Sequence, residues 1–234
     1  MSTETEFLSL LKETEKEFRG WDFSYIEETG RMQSGMLSWS YGSIVIPYMK
    51  RVKRMLDMGT GGGEFLSKLQ PYFPEKIIAT EGYEPNIPIA MNRLKPLGVD
   101  VRQIFNDNEL PFQDNTFDLI INRHESYSPK ELRRILKDGG IFITQQVGGR
   151  DAIEINEILG EPMNEYFSWD LQFAVDDLKN NGFEILFHKE EFPPLRFYDI
   201  GAFVYYLKAI PWQVEDFSID KYKGKLFEIH SFMK

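Results

Sequence analysis

The chain predicts an α/β fold built on a mostly parallel, doubly wound sheet of six or seven strands. Helices cover both faces, and a helical cap precedes the sheet. Three observations lead there. From about residue 52 to 190, short apolar runs alternate with segments of helical spacing, the pattern of successive βα units. One of those runs, Arg54-Met55-Leu56-Asp57-Met58, enters a glycine-rich turn, Gly59-Thr60-Gly61-Gly62-Gly63, that opens directly into a helix at Glu64. Pro71, Pro74, Pro96 and Pro129 all fall between the expected elements, where a missing N–H does least harm.

Taken in order, Phe7, Leu8, Leu10, Leu11 and Phe18 recur at helical spacing among Glu and Lys, which predicts an amphipathic helix over residues 6–19. Residues 20–43 are rich in aromatics, Gly and Ser (Trp21, Phe23, Tyr25, Trp39, Tyr41) and are expected to form a partly helical cap over the site. A strand reads at 54–58, and strand and helix patterns alternate from there to about residue 190. Residues 148–167 read as an irregular linker, and Ser168–Asn181 as a helix closed by Gly182. Phe183–Phe187 is expected to start a sixth strand, and Asp199–Ile210 an apolar helix. A short seventh strand at Leu226–Ile229 is left open. The expected organisation is a single domain, with a cap over 1–48, a core over 49–192 and a substrate-side segment over 193–234.

At 234 residues the chain suffices for one α/β domain, and 42% hydrophobic content argues for a folded one. No cysteine excludes disulfides and thiolate chemistry, suits a reducing cytoplasm, and leaves no metal site predicted. The first residues show no signal-peptide pattern, and no apolar run reaches the ~20 residues of a membrane span. A net charge of −10 argues against a nucleic-acid partner, since Lys and Arg supply most affinity for phosphates. The pairs Lys50-Arg51, Lys53-Arg54 and Arg133-Arg134 read as solvated faces.

The glycine turn is selective about its ligand. Glycines at 59, 61 and 63 let the backbone turn sharply and come close to a bound molecule. A dinucleotide fingerprint would place a sixth-position glycine where Glu64 stands. A carboxylate there repels a pyrophosphate and occupies the helix N-terminus itself. The turn is shaped for a nucleoside ligand without phosphates.

This acidic-x-Gly-x-Gly-x-Gly run resembles the first motif of the class I S-adenosylmethionine (SAM) dependent methyltransferases. The resemblance continues through Lys76–Glu81 and Val99–Phe105, then through Leu110-Pro111-Phe112 with Phe117-Asp118-Leu119-Ile120, and through Ile135-Leu136-Lys137-Asp138-Gly139-Gly140. Together these runs look like a bacterial branch of that family. The resemblance implies a Rossmann-like sheet in the order 3-2-1-4-5 with strands 7 and 6 at the edge, and SAM as cofactor. It places Asp57, Gly59, Thr60, Gly61 and Gly63 around the methionine part, with Asp57 facing the amino group. Glu81 ends the second strand, and its two oxygens match the two ribose hydroxyls at about 1.5–3 kcal/mol per charge-assisted bond. Asn106 or Asp107 would hold the adenine amino group, the choice between them open, and Asn122 completes the cofactor set.

Beyond the fourth strand stands Asn122-Arg123-His124-Glu125-Ser126, where amino-methylating relatives carry Asn/Asp-Pro-Pro-Tyr/Phe; that motif is absent. His124 and Glu125 are the closely placed acid/base candidates at this end of the sheet, with His124 the candidate general base, set against a structural role for a strand-end histidine. Arg123, Gln145 and Gln146 are candidates for the substrate wall, with Trp39 and Tyr41 as aromatics that could close over the sulfonium or substrate. The expected reaction is transfer of the SAM methyl group to a small-molecule acceptor. An RNA or protein methyltransferase, or a SAM-binding protein that does not methylate, stand as alternatives.

Overall fold

The structure, a computed structural model, describes residues 3–18 and 23–234. Trp21, counted above with the cap, lies outside them. The chain divides into two compact units: residues 38–147 with 172–188, and residues 1–37, 148–171 and 189–234.

The first unit is the α/β layer. Its helices are α3 (Tyr41–Met49), α4 (Glu64–Lys68), α5 (Asn86–Leu94), α6 (Pro129–Ile135) and α8 (Leu171–Asn180, entered from the other unit). Its strands are β2 (Arg54–Met58), β3 (Lys76–Glu81), β4 (Asp100–Gln103), β5 (Phe117–Arg123) and β6 (Leu136–Gln145). They lie in the order β4-β3-β2-β5-β6, all parallel. That is the expected 3-2-1-4-5 arrangement. The register places Asp57 beside Ala79, Met58 beside Asn122, and Arg123 beside Gln145, so the chemically interesting residues share the carboxyl edge.

The sheet is buried on both faces, as parallel sheets are. Met55, Ile77, Ala79, Leu119 and Ile121 meet Val45, Met49, Leu66, Ala90 and Leu94 on one face. Leu56, Met58, Ile78 and Ile120 meet Leu110, Leu132 and Ile135 on the other. Asp118 ties the entry of the central strands together, accepting from the Lys53 and Arg54 N–H groups at 3.1 and 2.8 Å and from Lys137 Nζ at 2.6 Å. Arg134 fixes the loop before β5 through Glu131, Asp114 and the carbonyls of Leu110 and Phe112. The basic pair Arg133-Arg134 is therefore neutralised by neighbours, Arg133 by Asp138 at 2.9 Å.

Among the described residues the main sheet has five strands, where six or seven are expected. Phe183–Phe187 makes no ladder, with Leu186 and Phe187 exposed. Leu226–Ile229 lies inside a helix.

That helix belongs to the second unit, which contains α1 (Thr3–Leu11), α2 (Ser24–Glu27), α7 (Ile153–Leu159), α9 (Ile200–Ala209) and α10 (Ile219–Phe232). Strands β1 (Met32–Ser34) and β7 (Leu195–Phe197) form a separate antiparallel ladder. Residues 148–167, expected to be an irregular linker, thus include the helix α7. Nearly every residue of α9 is buried, which is why its apolar character runs all round the helix. Phe7 and Leu11, Ile155 and Leu159, and Tyr222 and Leu226 pack in the same core.

Asp199 begins α9 by accepting from the Ala202 N–H at 2.9 Å, and it takes both Nε and Nη2 of Arg31 at 2.8 and 2.7 Å. Burial alone would raise its carboxyl; the Arg31 bonds and the cap hold it below the ordinary aspartate range. Asp199→Ala should therefore destabilise the chain by about 2 kcal/mol, combining a lost cap with a partly buried bidentate pair. Because the folded pKa is depressed, the contribution is present above the unfolded value and fades as pH falls through the folded one. Melting temperature measured from pH 7 down to pH 3 checks both size and sign.

Candidate active site

The carboxyl edge of the sheet gathers the acidic residues around the glycine turn. Asp57 is 6% exposed and Glu81 4% exposed, each at the end of an interior strand. Gly59, Gly61 and Gly63 all have positive φ, at 64°, 61° and 79°. A Cβ at Gly63 would lie 2.7 Å from Leu94 Cγ, so the turn is pressed onto α5 as well as twisted. The Thr60 N–H donates to the Thr80 carbonyl at 2.9 Å, and the Gly63 N–H to the Thr60 carbonyl at 3.0 Å. Glu64 opens α4 as expected, and its charge is paired with Arg93, which also donates to the Gly62 carbonyl.

Glu81 uses Oε1 to accept from the Tyr83 N–H at 2.8 Å, which fixes the carboxylate at the strand end. Burial, with the Glu81 charge nearby, pushes the Asp57 carboxyl up to about 7. Beside them a cavity of about 210 Å³ is lined by Gly82, Ile104, Phe105, Asn106, Asp107 and Glu125. Asn106 spends its Oδ1 on the Asn108 N–H at 2.9 Å, an Asx turn. Asp107 accepts from the Ser126 hydroxyl.

Asn122 is fully buried. Its Oδ1 accepts from Gln146 Nε2 at 2.9 Å, while its Nδ2 is buried without a hydrogen-bond partner. A buried donor left in this state costs about 1–3 kcal/mol, so it points to a ligand acceptor at the strand edge. Buried carboxylates, a tight glycine turn and this orphaned amide suit a nucleoside carrying a cationic amino-acid tail. The donor set fits SAM.

The substrate-side candidates distribute differently. Tyr41 belongs to the core, 7% exposed, its hydroxyl donating to the Asn122 carbonyl at 2.9 Å; in this position it braces β5 and is no lid. Gln146 likewise braces, donating to Asn122 Oδ1 and to the Glu125 carbonyl at 3.0 Å. Trp39 Nε1 donates to Gln145 Oε1 at 3.2 Å, which joins two of the expected wall residues. The exposed Arg123 guanidinium stands 5.0 Å over the Phe65 ring.

His124 follows with φ of 64°, an uncommon conformation for a side-chain-bearing residue, held by its N–H donating to the Gln145 carbonyl at 2.9 Å. Desolvation by its protein surroundings and the Arg123 charge lower its imidazole to about 4, although the ring reaches solvent. Glu125, expected only as an acid/base candidate beside His124, is brought by the geometry onto the glycine turn. Burial, then the charges of Asp107 and Glu81, push its carboxyl up to about 7. Only its adjacency to His124 signalled it in the sequence.

Residues 56–144 match the family model described as "Methyltransferase domain". An uncharacterized protein of Methanocaldococcus jannaschii is 29% identical over 182 residues, covering 74% of this chain and 72% of that protein. A probable methyltransferase of Aspergillus luteorubrus is 28% identical over 155 residues, covering 56% of this chain but only half of its own length. Among solved structures, the [4+2]-cyclase SpnF superposes with a TM-score of 0.53 at 18% identity, covering 86% of this chain and 83% of that one. The fold is therefore a Rossmann-like α/β fold shared with that structure. Over residues 56–144 the chain is similar to a methyltransferase domain, a type of domain whose cofactor is SAM. Among the described residues, no helix is long and apolar enough to cross a membrane.

Proposed function

We propose that this chain transfers a methyl group from SAM to a small-molecule acceptor in the cytoplasm. The observation that carries this reading is the convergence of the tight glycine turn with buried Asp57 and Glu81 beside the unsatisfied Asn122 amide. When bound, SAM supplies a methyl group already activated on a sulfonium. Glu81, with Oε1 fixed by Tyr83, presents a pre-aimed carboxylate to the ribose diol. Asp57 meets the amino group, and that cation draws its carboxyl back toward the charged form. Asp107 fits the adenine end better than Asn106, whose Oδ1 is already used in its turn. Asn122 Nδ2 finds its acceptor on the ligand. Much of the rate then comes from alignment of donor and acceptor, so the protein's chief task is positioning.

On the acceptor side we assign Trp39 and Gln145, which are hydrogen-bonded to each other, together with Arg123 and His124. A net charge of −10 supports a small acceptor over RNA. The alternative of a SAM-binding protein without methyl transfer has one observation in its favour: a cyclase shares this fold. Incubating the protein with methyl-labelled SAM and fractionated cell extract separates the readings. Label is expected in a low-molecular-mass fraction. Label in RNA or protein, or in nothing while SAM binds, would replace this proposal with the corresponding alternative.

A further inference from the structure

Glu125 is placed by a pinned turn. After His124 reverses the chain, the Glu125 N–H points to Asn122 Oδ1 at 3.4 Å and its carbonyl accepts from Gln146 Nε2 at 3.0 Å. The side chain comes down across the glycine turn: a Cβ at Gly59 would lie 2.6 Å from Glu125 Cγ. It also lines the cavity shared with Asp107. The charged groups that face this carboxylate are Asp107 from the loop after β4 and Glu81 from β3. Ser126 gives its hydroxyl to Asp107, and Gln146 contributes only an amide. Of the nearby cations, Arg123 stands over Phe65, and Arg93 is engaged with Gly62 and Glu64. Among the described residues, no cationic side chain lines the cavity.

Resting on the reading of this cavity as the SAM site, we propose that the Glu125 carboxylate is the counter-charge to the donor's sulfonium and makes the site prefer SAM to S-adenosylhomocysteine. The two ligands differ by one methyl group and one positive charge. Asp57 and Glu81 meet the amino group and ribose that both ligands share, so they hold both alike. Discrimination must come from a charge near the sulfur, and a carboxylate laid over Gly59 is placed to supply it. The Coulomb term between two unit charges a few ångströms apart is large in a partly desolvated cleft. Loss of the sulfonium after transfer removes that attraction and speeds product departure.

The test is calorimetry of both ligands with wild type and Glu125→Gln, beside a melting curve for each. The variant should weaken SAM about tenfold and leave S-adenosylhomocysteine within about twofold, with the melting temperature unchanged. In wild type the preference for SAM should grow between pH 6 and pH 8, because only the ionised carboxylate attracts the sulfonium, and its free carboxyl titrates near 7. Asp57 titrates in the same range and is kept in the variant, so the part due to Glu125 is the difference in pH slope between wild type and Glu125→Gln. The ratio of the two affinities should change much less with pH in the variant. Equal weakening of both ligands, or an unchanged ratio, overturns the role of Glu125 while leaving the SAM site standing. Failure of wild type to bind either ligand overturns the reading of the cavity itself.

Discussion

Glu81→Ala should weaken SAM binding about a hundredfold or more. Two charge-assisted bonds to the ribose diol contribute roughly 1.5–3 kcal/mol each, and about 2.7 kcal/mol corresponds to a hundredfold change. The structure favours the upper part of that range, because the carboxylate is already oriented by Tyr83 and loses little freedom on binding. Glu84→Ala should change affinity little. Glu84 is exposed beyond the strand, and β3 ends at Glu81. Calorimetry on both variants decides the matter. A damaging Glu84→Ala with a harmless Glu81→Ala would mean that the ribose is held elsewhere.

Glu81 was legible from the sequence because everything that places it is local. An apolar β-branched run stops at an acid, and a parallel strand delivers its last side chain to the carboxyl edge. The glycine turn was legible for the same reason. The departures all depend on distant partners. Phe183–Phe187 has the composition of a strand, but no ladder partner takes it up. Leu226-Phe227-Glu228-Ile229 reads as a strand in isolation, yet Tyr222, Leu226 and His230, spaced four apart, are buried on one helical face. Met32–Ser34 pairs with Leu195–Phe197 across most of the chain, a match that no short window contains. Tyr41 is an aromatic in a polar neighbourhood by sequence; only the fold turns its hydroxyl inward to the Asn122 carbonyl. Glu125 depends on a single positive φ at His124, and nothing in a non-glycine residue announces one.

His124→Asn should lower turnover roughly 10²-fold while SAM affinity stays nearly unchanged, if the imidazole takes the acceptor's proton as the methyl group arrives. This substitution isolates the imidazole. At φ of 64° most side chains would strain the backbone, but asparagine tolerates the left-handed region, so the turn carrying Glu125 keeps its shape. Alanine there would confound loss of the base with displacement of Glu125. The pH profile adds a second discriminator. With its pKa lowered to about 4, the imidazole is neutral through the whole physiological range, and its limb lies in the acid region, well below the ordinary histidine value. A limb near 7 belongs to Glu125 or Asp57, both of which titrate there in the free protein, and it should persist in His124→Asn. Full activity in the asparagine variant, with the same profile from pH 4 to pH 9, would remove His124 from the chemistry. Alignment of an already activated methyl donor would then be the whole mechanism.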